Sequence, residues 1–172
     1  FSTISFLVFM VISFLQALVF SYLSAVHKLN LPEIKPALKK EQGKIWIFDG
    51  IRKKYLVLTP EEWVRQHFIQ YLIQELKYPK SLFRIEGSLT YNQLQKRSDI
   101  LVFNREGKPW MLIECKSPAI KLTQKAFNQV AVYNMTVHAK YIAVTNGMVH
   151  FCCEAAETGE EAVFLESFPK FE

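Results

Sequence analysis

Apolar positions along this chain change their period several times, and each change predicts an element. In "TPEEWVRQHFIQYLIQELKYP" Val64, Phe68, Leu72 and Leu76 recur at helical spacing. Thr59 supplies an N-cap, Pro60 suits the first turn, and Glu62 stands three after Thr59 as in a capping box. Beyond Pro79 the pattern shortens. "SLFRIEGSLTY" reads as a strand, and "SDILVFN" with "PWMLIECK" reads as a hairpin about a polar turn from Asn104 to Pro109. Helical period returns in "LTQKAFNQVAVYNMTVHA". Two further strands follow, "KYIAVTNG" and "MVHFCCE", joined at Asn146-Gly147. Upstream, "IWIFDGIRKKYLVL" predicts two short strands around Asp49-Gly50, and the Pro- and Lys-rich residues 30–44 read as linker. The order helix, three strands, helix, two strands predicts an α/β fold with a small mixed sheet flanked by helices.

Residues 1–26 stand apart. They carry no charge and are long enough to span a bilayer as a helix. They lack the basic leader of a cleaved signal peptide. Lys28, Lys35, Lys39 and Lys40 follow, which would hold the remainder on the cytoplasmic side of the inner membrane. A second reading is open as well: the chain starts with Phe, so this segment fits an upstream extension that is not translated. The expected organisation is therefore a hydrophobic segment over 1–26, linker and N-terminal hairpin over 27–58, and one domain over 59–172. At 172 residues there is room for one domain with a full core. The net charge of +5 suits a polyanionic partner without requiring one. Cys115, Cys152 and Cys153 form neither a disulfide framework nor a zinc spacing, which points to a reducing compartment such as the cytoplasm.

Candidate chemistry enters at the end of the hairpin. Side chains alternate along a strand, so Leu112, Glu114 and Lys116 share one face. Asp99 opens the partner strand, and pairing about the turn would bring it to the end that holds Glu114 and Lys116. Two carboxylates offer oxygen ligands suited to a hard divalent ion such as magnesium. Lys116 could orient or help deprotonate an attacking water. An ordinary Glu-Lys pair at a strand end explains the same residues. In the second helix, steps of about 100° place Leu122, Ala126, Gln129, Tyr133 and Val137 on one stripe. Gln129 is therefore expected in the middle of the buried face, either as a satisfied core amide or facing a polar site. Glu61 aligns with Val64, Phe68 and Leu72, with Arg65 one turn on. It reads as a further ligand or as a first-turn acid favoured by the helix dipole. Glu62 is expected to point away and to serve the cap.

Asp99 followed by Glu114-Cys115-Lys116 resembles the signature of the PD-(D/E)xK nuclease superfamily, and Gln129-Val-Ala-Val-Tyr133 resembles the Q-x-x-x-Y helix of its recombination-nuclease branch. More closely, "LTPEEWVRQHFIQYLI", "YNQLQKRSDILVF", "GKPWMLIECKSP" and "YIAVTNG" are similar to the N-terminal nuclease domain of type I restriction enzyme R subunits in a short stand-alone form. The resemblance implies a restriction-endonuclease-like αβββαβ core and a magnesium-dependent DNA endonuclease, with Mn2+ as a substitute ion. It implies Asp99, Glu114 and Glu61 as metal ligands, Lys116 serving the water, and Gln129 and Tyr133 supporting the site. Lys96, Arg97 and Arg65 would meet DNA. Ser98 stands where the superfamily pattern has proline. No Gly-rich phosphate loop ending in Lys-Ser/Thr is present, so ATP-driven translocation is not expected from this chain.

Three function classes follow. The first is a metal-dependent hydrolase of DNA phosphodiesters within restriction-modification, with DNA and other restriction-system subunits as partners. The second is a catalytically weak nucleic-acid-binding module of the same fold. The third is a membrane-anchored structural protein, which leaves Glu61 and Gln129 unexplained. A membrane is a partner only if residues 1–26 are a real anchor.

Overall fold

The computed structural model describes residues 28–85, 99–155 and 162–171. Its centre is a six-stranded mixed sheet of β4 (Phe83–Ile85), β5 (Ile100–Phe103), β6 (Pro109–Cys115), β7 (Tyr141–Thr145), β8 (His150–Glu154) and β9 (Val163–Phe164), in that spatial order. Only β6 and β7 run parallel; the other pairs are antiparallel. Two helices cover the sheet: α1 (Pro60–Gln74) and α2 (Gln124–Val137). This is the expected restriction-endonuclease-like α/β core.

Alternation along the strands assigns each helix its face. Ile100, Val102, Met111, Ile113 and Cys115 are buried with Val64, Phe68 and Leu72 of α1. Their neighbours Leu101, Leu112, Ile142 and Val144 are buried with Phe127, Val130 and Val137 of α2. Both faces of β6 are thus covered, which is why its sequence is apolar without a break up to Ile113. Burial of each large apolar side chain contributes about 1.5–3 kcal/mol. Thr59 caps α1, its hydroxyl accepting from the Glu62 amide at 3.1 Å, and Thr123 caps α2 from Ala126 N at 3.3 Å. The β5–β6 turn closes on Asn104, whose Oδ1 accepts from the amides of Glu106 and Lys108.

The segment expected as linker is corrected. It contains β1 (Leu38–Glu41), which joins β2 (Lys44–Asp49) and β3 (Lys54–Val57) in a separate antiparallel sheet. Gln42 and Gly43 turn the chain with φ of 50° and 72°, the geometry of a two-residue hairpin. The inner face of this sheet, with Leu38 and Ile47, packs on Trp63 of α1. Helix α1 is consequently enclosed on two sides, and every residue from Glu62 to Ile69 is buried. Strand β9 also had no sequence expectation. Residues 1–26, Lys96, Arg97 and the second half of "SLFRIEGSLTY" lie outside the described residues. Among the described residues no helix is long and apolar enough to cross a membrane.

Candidate active site

The β5–β6 register fixes the centre of the site. Ile100 pairs with Ile113, so one step outward Asp99 comes opposite Glu114. Residues directly opposite have Cβ atoms about 4.5–5.5 Å apart. One Asp99 oxygen, Oδ2, accepts from the Cys115 amide at 2.7 Å, and the other, Oδ1, accepts from Arg65 Nη2 at 2.5 Å. On the next strand position Lys116 Nζ donates to Glu114 Oε1 at 2.5 Å. The Lys116 amide donates to Thr145 O, so pairing with β7 continues past β6 and holds that end in place.

Helix α1 brings its polar residues to the same edge. Arg65 Nη2 also donates to Glu61 Oε1 at 3.2 Å, and its Nη1 donates to Glu62. Glu62 in turn accepts from Gln66 Nε2 at 2.8 Å and from Arg52 Nη2 at 3.0 Å. Arg52 Nε donates to Asp49 Oδ2 at 2.6 Å, while Asp49 Oδ1 is held by the amides of Ile51 and Arg52. A continuous ion chain therefore runs from the β2–β3 turn through α1 to Asp99.

Two expectations are corrected by this chain. Glu62 does not simply serve the cap with its side chain outward. It is 5% exposed and binds two arginines. Arg65 is 4% exposed and committed to three carboxylates, which sequesters it from a DNA phosphate. Sequence reasoning missed Arg52 and Asp49 altogether. The Asp49-Gly50 pair signalled a turn, but nothing in it announces an ion pair with a helix ten residues on.

The electrostatics show charges that feel one another. Burial raises the Glu61 carboxyl above its ordinary range, and Asp99 adds to that, with Arg65 and Lys116 opposing. Glu114 is raised likewise, by burial and then by Asp99, against its hydrogen bond from Lys116. Burial disfavours the Lys116 charge, but Glu114, Asp99 and Glu61 together outweigh it and hold the ammonium protonated above its usual range. The charges of Glu61, Asp99, Glu114 and Lys116 therefore act on one another.

Helix α2 is phased differently from expectation. Phe127, Val130, Asn134 and Val137 face the sheet, and Gln129 is exposed rather than central to the buried face. Asn134 explains the misphasing. Its amide donates to Ala139 O and accepts from Ala139 N, both at 2.9 Å, so a polar residue occupies the buried stripe to close the helix end. Tyr133 lies at the margin of that stripe. Its hydroxyl is buried and has no hydrogen-bond partner among the described residues.

The donor set fits a hard divalent cation. It is all oxygen, with Glu61 already accepting from Arg65 and Glu114 from Lys116. Among the described residues no three His, Cys, Asp or Glu side chains gather round one point. The facing pair Asp99 and Glu114 is what the fold offers, and magnesium commonly takes one or two carboxylates and keeps several waters.

Comparison with known proteins places the chain in a family. Residues 60–169 match the family described as Type I restriction enzyme R protein N terminus. Among solved structures, a fragment described as an HsdR subunit of a type I restriction enzyme from Vibrio vulnificus YJ016 is 28% identical, with a TM-score of 0.34. The match covers 51% of this chain and 16% of that one. No curated protein matches.

Proposed function

Because the chain belongs to the family of type I restriction enzyme R protein N termini, we propose that it hydrolyses DNA phosphodiester bonds with the help of magnesium, for which manganese can substitute. The observation that carries this reading is the facing pair of Asp99 and Glu114, with Lys116 bonded to Glu114 at 2.5 Å. Asp99 and Glu114 would hold the ion, with Glu61 at the border of the site. When bound, magnesium supplies Lewis acidity that acidifies a water and offsets charge growing on the phosphate. Lys116 is held as an ammonium, so its part is to orient that water and to stabilise the phosphate by charge. Arg65 fixes Asp99 and Glu61 from behind, and the Asp49–Arg52–Glu62 chain fixes Arg65. Gln129 is exposed on α2, where it is free to meet DNA, and the Tyr133 hydroxyl awaits a partner. Lys96 and Arg97, which precede Asp99 in the sequence, are the cations this reading would give to the phosphate backbone. DNA and the other subunits of a restriction system are the partners this reading implies, and the cytoplasm is the place where they meet.

The test is nicking of supercoiled plasmid in magnesium. Glu114→Ala and Lys116→Ala are expected to abolish it while far-UV circular dichroism stays unchanged. Cleavage by both variants at the wild-type rate would defeat the reading. One observation favours a second reading, a nucleic-acid-binding module without turnover: Arg65 already offers a cation to both Asp99 and Glu61. Binding of a fluorescent duplex with no nicking in any divalent ion would favour that module.

A further inference from the structure

The outer face of the β1–β3 sheet carries a pattern that the nuclease site does not use, and it precedes the family match, which begins at residue 60. Leu38, Ile47 and Asp49 point inward and are buried. Strand alternation turns Lys39, Lys44, Trp46, Phe48, Tyr55 and Val57 the other way. Phe48 is 38% and Tyr55 37% exposed, and their rings meet edge to face with centroids 5.2 Å apart. Lys39 Nζ lies 4.8 Å from the Tyr55 ring centre and 5.6 Å from that of Trp46, while also pairing with Glu41 at 2.5 Å. Phe48, Tyr55 and the half-buried Trp46 therefore share one outer surface, with Lys39 between the Tyr55 and Trp46 rings.

Charge singles out the same segment. Residues 28–58 hold eight Lys and Arg against three Asp and Glu, a surplus of five that accounts for the whole chain's +5. Residues 59–172 hold thirteen of each and are neutral. Of these cations, alternation places Lys39 and Lys44 on the outer face together with Glu41, while Arg52 is committed to Asp49 and Glu62; a solvated lysine face would not need exposed rings. The two together suit a polyanion that also offers flat apolar surfaces. Duplex DNA hides its base planes, whereas a single strand presents them.

We propose that the outer face of β1–β3 binds single-stranded nucleic acid, stacking bases on Trp46, Phe48 and Tyr55 and drawing the phosphates with Lys39, Lys44 and the exposed lysines at its rim. This goes beyond the nuclease reading, because binding here needs neither a divalent ion nor cleavage. It therefore stands or falls separately from Glu114 and Lys116.

The experiment is fluorescence anisotropy of labelled oligothymidine with the full chain in chelator, across a salt series. Wild type is expected to bind with a steep salt dependence, and Glu114→Ala to bind equally well. The double variant Phe48→Thr/Tyr55→Thr keeps β-forming residues and is expected to bind about tenfold or more weakly. Lys44→Gln is expected to reduce the slope of log affinity against log salt by about 0.7. Tyr55→Trp, which keeps a stacking ring, is expected to retain binding and to melt like wild type. Absence of binding at low salt, or full binding by the double variant with an unchanged melt, would overturn the proposal. So would loss of binding to phosphatidylglycerol vesicles by the double variant with oligothymidine binding intact, since that result marks the face as a membrane contact.

Discussion

Arg65→Met removes the guanidinium at the centre of the ion chain and keeps the aliphatic stem. The three carboxylates it serves are not equal. The Glu61 side chain is 43% exposed, so solvent screens that pair to a few tenths of a kcal/mol. Glu62 is 6% exposed but keeps Arg52 and Gln66. Asp99 is 14% exposed and is left with the Cys115 amide. Removing one partner from such a buried set costs about 3–5 kcal/mol, mostly through Asp99 and Glu62. That is a large part of the 5–15 kcal/mol (approximate range) that holds a domain together. With a urea slope near 2 kcal/mol per molar, the unfolding midpoint is expected to fall by about 2 M. Trp63, buried beside this cluster, reports the transition by fluorescence. Magnesium adds a discriminating arm. It should restore more stability to Arg65→Met than it adds to wild type, because Asp99 and Glu61 then lack their cation and bind the ion better. A loss below about 1 kcal/mol would refute the reasoning, and equal magnesium effects would show that Arg65 and the metal do not share carboxylates.

Other outcomes follow from single features. Burial lowers the pKa of His67 and of His150 below the ordinary 6.5, so both rings stay neutral in the fold and gain protons more readily when unfolded. Their contribution to stability is present above pH 6.5 and is lost as pH falls toward the lowered values, by up to about 1.4 kcal/mol per pH unit for each ring; urea midpoints across that range should show it, and His67→Gln should flatten it. Gly147 has φ of +81°, and a Cβ there would stand 2.7 Å from Leu29 Cδ2 and 3.0 Å from Val64 Cγ2. Gly147→Ala is therefore expected to lower stability by about 2–4 kcal/mol, and an unchanged melt would contradict this. Tyr133→Phe removes a buried hydroxyl that has no partner among the described residues, so stability should hold or rise by up to about 1 kcal/mol while DNA cleavage falls. Unchanged cleavage would remove Tyr133 from the site.

The sequence disclosed those parts of the fold whose signals are local. Thr59 and Pro60 announced α1, two apolar runs about a polar turn announced β5 and β6, and Asn146-Gly147 announced the turn into β8. The approach of Asp99 to Glu114 followed from hairpin register alone. What stayed hidden depended on contacts distant in sequence. Strand β1 was masked because Gln42 adopts a left-handed conformation, and glutamine is not a residue that marks such turns. Arg65 looked like a surface cation because nothing local shows that β1–β3 lies over α1. Gln129 was placed on the wrong side of α2 because Asn134, a polar residue, occupies the buried stripe.

The central claim is that Asp99 and Glu114 jointly hold a divalent ion, and titration of Mn2+ followed by electron paramagnetic resonance tests it most directly. Wild type should take up the ion, and Asp99→Asn and Glu114→Gln, each with an unchanged fold, should both lose that uptake. Uptake of manganese by both variants with undiminished affinity would contradict the account.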